Sequence, residues 1–146
     1  MAVYVSSELK TAAEAAGIDL TQLKLQFAWW KADPGRLNEC FWFGRDNPYA
    51  EPQMPGYGCV LRHAHMFPTA DEKTCERWLT IYKRRGEKKS DRALVYVTNA
   101  DGDHLLLYIF DEPQAHERAR VEMGTMRQLS RTAIKFLEGD LQDFHL

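Results

Sequence analysis

The stretch Arg92–Phe110, RALVYVTNADGDHLLLYIF, predicts a β-hairpin that organises the rest of the fold. Its two arms, Arg92–Thr98 and Asp103–Phe110, are rich in the β-branched, aliphatic and aromatic residues that strands prefer. The four residues between them, Asn-Ala-Asp-Gly at 99–102, are turn formers. The second arm is apolar on both faces from Leu105 to Ile109, so we expect it to lie centrally in a sheet that is covered on both sides.

A long helix is predicted directly after the hairpin, from about Pro113 to Glu138. Proline suits the first helical position, Asp111 or Glu112 suits the cap, and Gly139 suits the stop. Apolar residues follow with spacings of three and four, which marks a buried stripe: Ala119, Met123, Met126, Ala133 and Leu137.

Two polar side chains share one side of this helix near its start. His116 and Arg120 are four residues apart, so they project in the same direction. The free N–H groups and the dipole at a helix start favour a phosphate nearby.

Before the hairpin, residues Cys59–Phe67 predict a strand that contains Arg62-His63-Ala64-His65-Met66. Side chains alternate along a strand, so His63 and His65 share a face. At the N-terminus, Ser6 or Ser7 can cap a helix that ends near Ala16, and Asp19 can cap a second that ends near Lys31. The pattern predicts an α+β fold: a small antiparallel sheet packed against two N-terminal helices and a long C-terminal helix.

Composition indicates one globular domain over residues 1–146, with an acidic tail at about 139–146. The chain is 45% hydrophobic and 27% charged, which is ordinary usage for soluble proteins. It contains neither the run of roughly 20 apolar residues that spans a bilayer nor an evident secretory signal, so no membrane partner is expected. Its three cysteines are an odd number without CxxC spacing, which is typical of reduced thiols in a cytoplasmic protein.

A net charge of −2 argues against binding nucleic acid through bulk charge alone. Residues 83–92, however, carry six cations against two anions. This basic loop has two interpretations: contact with a phosphate backbone, or a solvated surface loop. Its cations are Lys83, Arg84, Arg85, Lys88, Lys89 and Arg92.

The histidine pair suggests chemistry, although ordinary hydrogen-bonded histidines on a half-exposed sheet remain an alternative. Imidazole titrates near neutral pH and so can accept or donate a proton during a reaction. Zinc would need further ligands such as His104 or His116, but no CxxC or HExxH arrangement is present, so no metal or other cofactor is expected. Tyr96 is either a core tyrosine or a phenol that contacts a base or passes a proton.

The order of several motifs resembles the YafO family of toxins from type II toxin–antitoxin systems. The resemblance covers about residues 20–137. The motifs are Phe43-Gly44-Arg45-Asp46 with Tyr49 after it, His63-Ala64-His65, Asp91, Leu94-Val95-Tyr96, Leu105-Leu106-x-Tyr108-Ile109, and Pro113-x-Ala115-His116-x-x-Ala119-Arg120.

The resemblance implies a compact toxin similar to the RelE/ParE-like group. Such toxins are ribosome-dependent mRNA interferases: they cut mRNA in the ribosomal A site, inhibit translation and are neutralised by a cognate antitoxin protein. The expected partners are therefore the antitoxin, the ribosome and mRNA. The chain departs from the RelE-like pattern because it is not strongly basic and continues past the final helix as an acidic tail.

We therefore expect a metal-independent endoribonuclease that cleaves by acid–base chemistry. Arginine matches phosphate geometry and stays charged, so Arg45 and Arg120 are candidates for charge stabilisation. The basic loop would contact ribosomal RNA. The alternatives are a toxin-fold domain that only occupies a ribosomal or other protein surface, and a toxin directed at gyrase. The candidate proton-transfer residues are His63, His65, His116 and Tyr96.

Overall fold

The computed structural model describes residues 1–146 as one six-stranded sheet with helices on both faces. A short 3₁₀ turn, Pro34–Arg36, follows the second helix. The strands are β1 (Val3–Ser6), β2 (Phe43–Pro48), β3 (Arg62–Met66), β4 (Ala93–Thr98), β5 (His104–Phe110) and β6 (Phe144–His145). The helices are α1 (Ser7–Ala16), α2 (Leu20–Lys31), α3 (Glu72–Lys83), α4 (Ala115–Val121) and α5 (Met123–Leu137).

The predicted hairpin is confirmed as β4 and β5, and it forms the middle of the sheet. The strand order is β2-β3-β4-β5-β1-β6, with β1 and β5 parallel and every other neighbouring pair antiparallel. Leu105, Leu106 and Leu107 are all fully buried, as expected for a central strand that is covered on both faces. The predicted α+β class is therefore confirmed.

The two N-terminal helices cover one face of the sheet, and both caps are the predicted ones. Ser6 Oγ accepts a hydrogen bond from the Leu9 amide at 3.1 Å, and Asp19 Oδ1 accepts one from the Gln22 amide at 3.1 Å. Phe27 of α2 packs edge-to-face against Tyr96, with ring centroids 5.0 Å apart. This face holds one of the two hydrophobic cores.

The predicted single C-terminal helix from about Pro113 to Glu138 is wrong in its start and in its continuity. Gln114 has a left-handed backbone (φ 65°), so α4 begins only at Ala115. Glu122 is non-helical (ψ 55°) and separates α4 from α5, and Gly124 just beyond it has a low helix propensity. Both helices pack on the second face of the sheet.

The acidic C-terminal tail contains a strand that the sequence did not predict. Residues Phe144 and His145 form β6, which pairs antiparallel with β1. Phe144 packs against Phe136 of α5 with ring centroids 6.0 Å apart. The sheet therefore gains an edge strand from the tail.

None of the helices combines the length and apolar character that a membrane span requires.

A second unpredicted strand, β2, holds the basic loop close to the sheet. It pairs with β3, and the register shifts between Phe43 and Asp46. At this irregularity the Arg45 amide donates a hydrogen bond to the Lys88 carbonyl at 2.8 Å. A Cβ atom on Gly44 would lie 2.8 Å from the Lys88 carbonyl carbon and closer still to its oxygen, so only glycine fits beneath the loop.

We expect Gly44→Ala to lower the free energy of unfolding by about 1–3 kcal/mol, because the methyl group must displace backbone atoms of Lys88. Gly124→Ala is the matched control. A Cβ there meets no atom within 4 Å, and we expect a stabilisation of up to about 1 kcal/mol from improved helix propensity. Urea unfolding of both variants measures the difference. Equal stabilities would contradict the close packing of the loop on β2.

Candidate active site

Three histidines from two distant segments meet on the face of the sheet that α4 covers. His63 and His65 project from β3 on that face, and His116 lies in the first turn of α4. Nε2 of His65 is 3.2 Å from Nε2 of His116. The centroid of the His63 ring is 5.9 Å from that of His65 and 5.7 Å from that of His116. Proximity of these three predicted residues is therefore observed, and we call them the histidine cluster.

Burial keeps two members of the cluster uncharged at neutral pH. His63 and His65 are 8% and 6% exposed, whereas the side chain of His116 is 45% exposed. Burial, together with a charge on His116, lowers the pKa of His63 to about 4 and that of His65 to about 4. The two buried rings are neutral imidazoles that can accept a proton or donate an N–H hydrogen bond.

Backbone and side-chain partners surround the cluster. The Ser90 amide donates a hydrogen bond to Nδ1 of His65 at 2.9 Å. Asp91 Oδ1 lies 3.6 Å from Nδ1 of His116. Tyr49 stacks on the ring of His63 with centroids 4.2 Å apart. Of the three rings, His65 therefore has a backbone hydrogen bond, His63 an aromatic stacking partner and His116 a neighbouring carboxylate.

A cleft of about 410 Å³ opens beside the cluster, between the end of β2 and the helices α4 and α5. Arg120 lies on its wall, four residues from His116 as the helical spacing predicted. The volume of the cleft is within the range of small-molecule binding sites. The other lining residues are Pro48, Tyr49, Ala50, Glu51, His63, Ala119, Met123 and Met126.

Arg45 contributes a second positive charge near the cluster. Its side chain is exposed on β2, and its charge lowers the pKa of both His63 and His65. Arg45 and Arg120, the two predicted phosphate-binding cations, therefore both lie near the cluster. Arg120 has only a loose ion pair with Glu117 at 3.6 Å, so it is available to an anionic ligand.

Tyr96 is not part of this arrangement. It follows Val95, the register partner of His63, so its side chain points to the opposite face of the sheet. There its hydroxyl donates a hydrogen bond to Asp46 Oδ1 at 2.6 Å and accepts one from Arg62 Nε at 3.2 Å. Burial and the Asp46 carboxylate raise the pKa of Tyr96, which makes its phenol a structural group.

Asp46 of the FGRD motif belongs to the same structural network. Its buried carboxylate accepts from Tyr96 and pairs with Lys31 and Arg62. The network joins α2, β2, β3 and β4 on the face away from the histidines.

The prediction of a solvent-exposed basic loop is wrong at two of its six cations. Lys88 is completely buried, its ammonium lies 5.5 Å from the Trp78 ring centre, and burial lowers its pKa. Arg92 is also buried: its Nε lies 3.0 Å from Asp111 Oδ1, and its Nη1 donates to the Phe67 carbonyl. Neither cation can reach a phosphate from these positions. The exposed members are Lys83, Arg84, Arg85 and Lys89.

Three imidazoles within reach of one another also resemble a zinc ligand set, and their ligand atoms lie within 4.8 Å of one another. The hydrogen bond that His65 accepts from the Ser90 amide argues against zinc binding. Because the Ser90 amide donates to Nδ1, a neutral His65 carries its proton on Nε2, the atom that faces His116. To bind a metal through Nε2 it would have to lose the Ser90 bond or become an imidazolate. The donor set therefore fits proton transfer better than metal binding.

Sequence reasoning did not assign a role to Ser90, Asp91 or Tyr49, although each contacts the cluster. Asp91 and Tyr49 occur among the motifs of the family resemblance, which was their only signal. Ser90 acts through its backbone amide, so its residue type carried no signal.

The profile of one known family, described as Toxin YafO of type II toxin–antitoxin systems, matches residues 28–138. That range contains the whole histidine cluster, Arg45, Arg120 and the basic loop. The protein is thus a toxin of a type II toxin–antitoxin system, the class whose members have a cognate antitoxin protein as their partner. Within that class the chain belongs to the YafO toxin family. Searches of curated proteins and of solved structures found no match.

The lowered pKa values predict a loss of stability in mild acid. Below about pH 6.5 the unfolded chain protonates His63 and His65, but the folded chain does so only near pH 4. The free energy of unfolding should therefore decrease as the pH falls through this window, by on the order of 2–3 kcal/mol for each histidine.

Urea unfolding between pH 7 and pH 5 separates this effect from carboxylate titration, which lies mostly at lower pH. The variant His63→Gln/His65→Gln should show a shallower dependence than the wild type. An unchanged slope in that variant would show that these histidines do not stay neutral in the folded protein.

Proposed function

We propose that this YafO-family toxin is a ribosome-dependent mRNA interferase that cleaves RNA by metal-independent acid–base chemistry and thereby inhibits translation. It would act in the cytoplasm, on mRNA held by the ribosome. The observation that carries the proposal is the meeting of His63, His65 and His116 beside a cleft that Arg120 lines, with the charge of Arg45 near the two buried rings. The cognate antitoxin would be the partner that restrains this activity.

The reaction transfers a phosphoryl group within the RNA, from the 5′-oxygen of one nucleotide to the 2′-oxygen of the nucleotide before it. The ribose 2′-oxygen attacks the adjacent phosphorus while an imidazole accepts its proton. The bond from phosphorus to the 5′-oxygen breaks, and that oxygen receives a proton from an acid. The products are a 2′,3′-cyclic phosphate and a 5′-hydroxyl, and no proton is gained or lost overall. Each positioned proton transfer contributes about 10²- to 10⁴-fold to the rate.

Arg45 and Arg120 would stabilise the negative charge that grows on the phosphate oxygens. A guanidinium remains charged at every physiological pH and can donate two parallel hydrogen bonds to a phosphate. Since both lie near the cluster, the two residues could contact the same phosphate. Tyr96 has no role in the proposed reaction, because its hydroxyl donates to Asp46 on the other face.

The exposed cations of the basic loop would contact ribosomal RNA. The loop continues into Ser90, which donates to His65, so contacts with the loop lie close to the cluster. Phosphate contacts position a protein on RNA without reading its sequence. Such a local patch suits a chain whose net charge is −2.

We expect His116→Ala to abolish growth arrest and to reduce mRNA cleavage by at least about 10²-fold, because it removes the most exposed imidazole of the cluster. His145→Ala, an exposed histidine on β6, is the matched control and should remain toxic. Sequencing of mRNA ends after induction, with circular dichroism of both variants, measures the outcome.

Chemical identification of the cut ends tests the reaction itself. Cyclic phosphate ends that depend on His116 support the proposal. Growth arrest with intact mRNA would contradict it and would indicate a toxin that only occupies the ribosome. DNA-damage signalling without loss of mRNA would instead indicate gyrase as the target.

Burial divides the basic loop into two groups with different expected effects on ribosome binding. The variant Arg84→Ala/Arg85→Ala/Lys89→Ala should weaken binding and make it less dependent on salt, because exposed phosphate contacts are lost. Lys88→Met should leave binding unchanged, since this ammonium is buried against Trp78 and Tyr82. Co-sedimentation with ribosomes over a range of salt concentrations measures both. Equal losses in the two variants would contradict this division.

A further inference from the structure

The hydrogen bonds around the cluster have a definite direction, which begins at a backbone amide. The Ser90 N–H donates to Nδ1 of His65 at 2.9 Å. An amide nitrogen can only donate, so Nδ1 must present a lone pair. A neutral His65 therefore carries its single ring proton on Nε2.

This proton sets the state of the next ring. Nε2 of His65 lies 3.2 Å from Nε2 of His116, and two nitrogens can share only one proton in a hydrogen bond. Since His65 supplies that proton, Nε2 of His116 accepts it. A neutral His116 then carries its own proton on Nδ1, which faces Asp91 Oδ1 at 3.6 Å.

Asp91 uses its two carboxylate oxygens for two tasks. Oδ1 faces the His116 ring, and Oδ2 accepts a hydrogen bond from the Gln114 amide. Gln114 is the left-handed residue directly before α4, so this bond fixes where the helix begins. His116 is two residues farther along. The same carboxylate therefore binds the backbone that carries the imidazole and lies beside the imidazole itself.

We propose that Asp91 is a positioning residue that makes His116 the general base of the cluster. This inference rests on the proposed function and assigns the roles within it. The Nε2 lone pair of His116 receives the proton of the ribose 2′-hydroxyl, which takes the place of the His65 N–H. Asp91 stabilises the imidazolium that forms, and the proton passes on to the departing 5′-oxygen.

His65 acquires a separate role when substrate is bound. Its Nε2–H, displaced from His116, becomes free to donate a hydrogen bond to a phosphate oxygen. A buried neutral imidazole suits this task, because it polarises the phosphate without first losing a charge. The Ser90 amide keeps the proton of His65 on the nitrogen that faces the site.

Replacement of Asp91 by asparagine tests the direction of the hydrogen bonds from Ser90 through His65 to His116. It preserves the shape of the side chain at position 91. The amide oxygen can still accept from Gln114, but the NH₂ group then faces Nδ1 of His116 and requires a lone pair there. The proton of His116 must move to Nε2, where it opposes the Nε2–H of His65. We expect kcat for mRNA cleavage on ribosomes to fall by at least about 10²-fold with little change in KM.

Two further variants of the full-length toxin control for charge and for structure. Asp101→Asn removes an exposed carboxylate at the hairpin turn and should cleave at the wild-type rate. Asp91→Glu retains the acceptor and should recover part of kcat, whereas a merely structural role for Asp91 would make it as harmful as Asp91→Asn. A wild-type kcat for Asp91→Asn would overturn the proposal.

Long-range ¹H–¹⁵N correlations of the imidazoles test the direction of these hydrogen bonds without reference to activity. In the wild type we expect His65 with its proton on Nε2 and His116 with its proton on Nδ1. In Asp91→Asn the proton of His116 should shift toward Nε2, and in Asp101→Asn neither ring should change. A wild-type His65 with its proton on Nδ1 would overturn the proposal.

The two experiments also separate this inference from the proposed function. If the wild-type toxin cuts no mRNA, the proposed function fails, and the role of Asp91 in catalysis fails with it, whatever the imidazole spectra show. If the wild type cuts mRNA and Asp91→Asn cuts equally well, the proposed function stands and the positioning role alone is overturned.

Discussion

The close approach of α4 to the sheet is the constraint on which the candidate site depends. Ala115 and Ala119 of α4 are buried against the hydrophobic core of that face, and their small side chains let the helix lie close to the strands. This close approach places Nε2 of His116 3.2 Å from Nε2 of His65, although the two residues are 51 positions apart in the sequence. Larger side chains at the two alanines would push the helix outward and separate the imidazoles. The chemistry of the site therefore depends on core packing.

The two faces of the sheet differ in how their buried titratable side chains are stabilised. On the α2 face, the largely buried carboxylate of Asp46 is paired with Lys31 and Arg62 and accepts a hydrogen bond from Tyr96. On the α4 face, His63 and His65 have no buried counter-ion, and burial keeps them neutral instead. The first arrangement joins strands and a helix into a rigid support. The second leaves ring nitrogens available for proton transfer.

Three histidines in one place are compatible with both metal binding and proton transfer, and residue identity alone does not separate the two. The direction of one backbone hydrogen bond does. By donating to His65, the Ser90 amide determines which nitrogen carries the proton and therefore which nitrogen faces the neighbouring ring. The loop that supplies this amide is held against β2 by the absence of a side chain at Gly44 and by burial of the Lys88 side chain. Loop packing and site chemistry are thus linked.

Local patterns in the sequence determined the central hairpin, the caps at Ser6 and Asp19, and the shared face of His63 and His65, because each depends on residues only a few positions apart. The family motifs likewise indicate a toxin of the YafO type from the sequence alone. Only the tertiary structure decided that the C-terminal helix breaks at Glu122, that Lys88 and Arg92 are buried, that Tyr96 faces away from the histidines and that Ser90 and Asp91 approach them. These features depend on contacts between segments far apart in the chain, where burial and hydrogen-bond partners override what each residue would do alone.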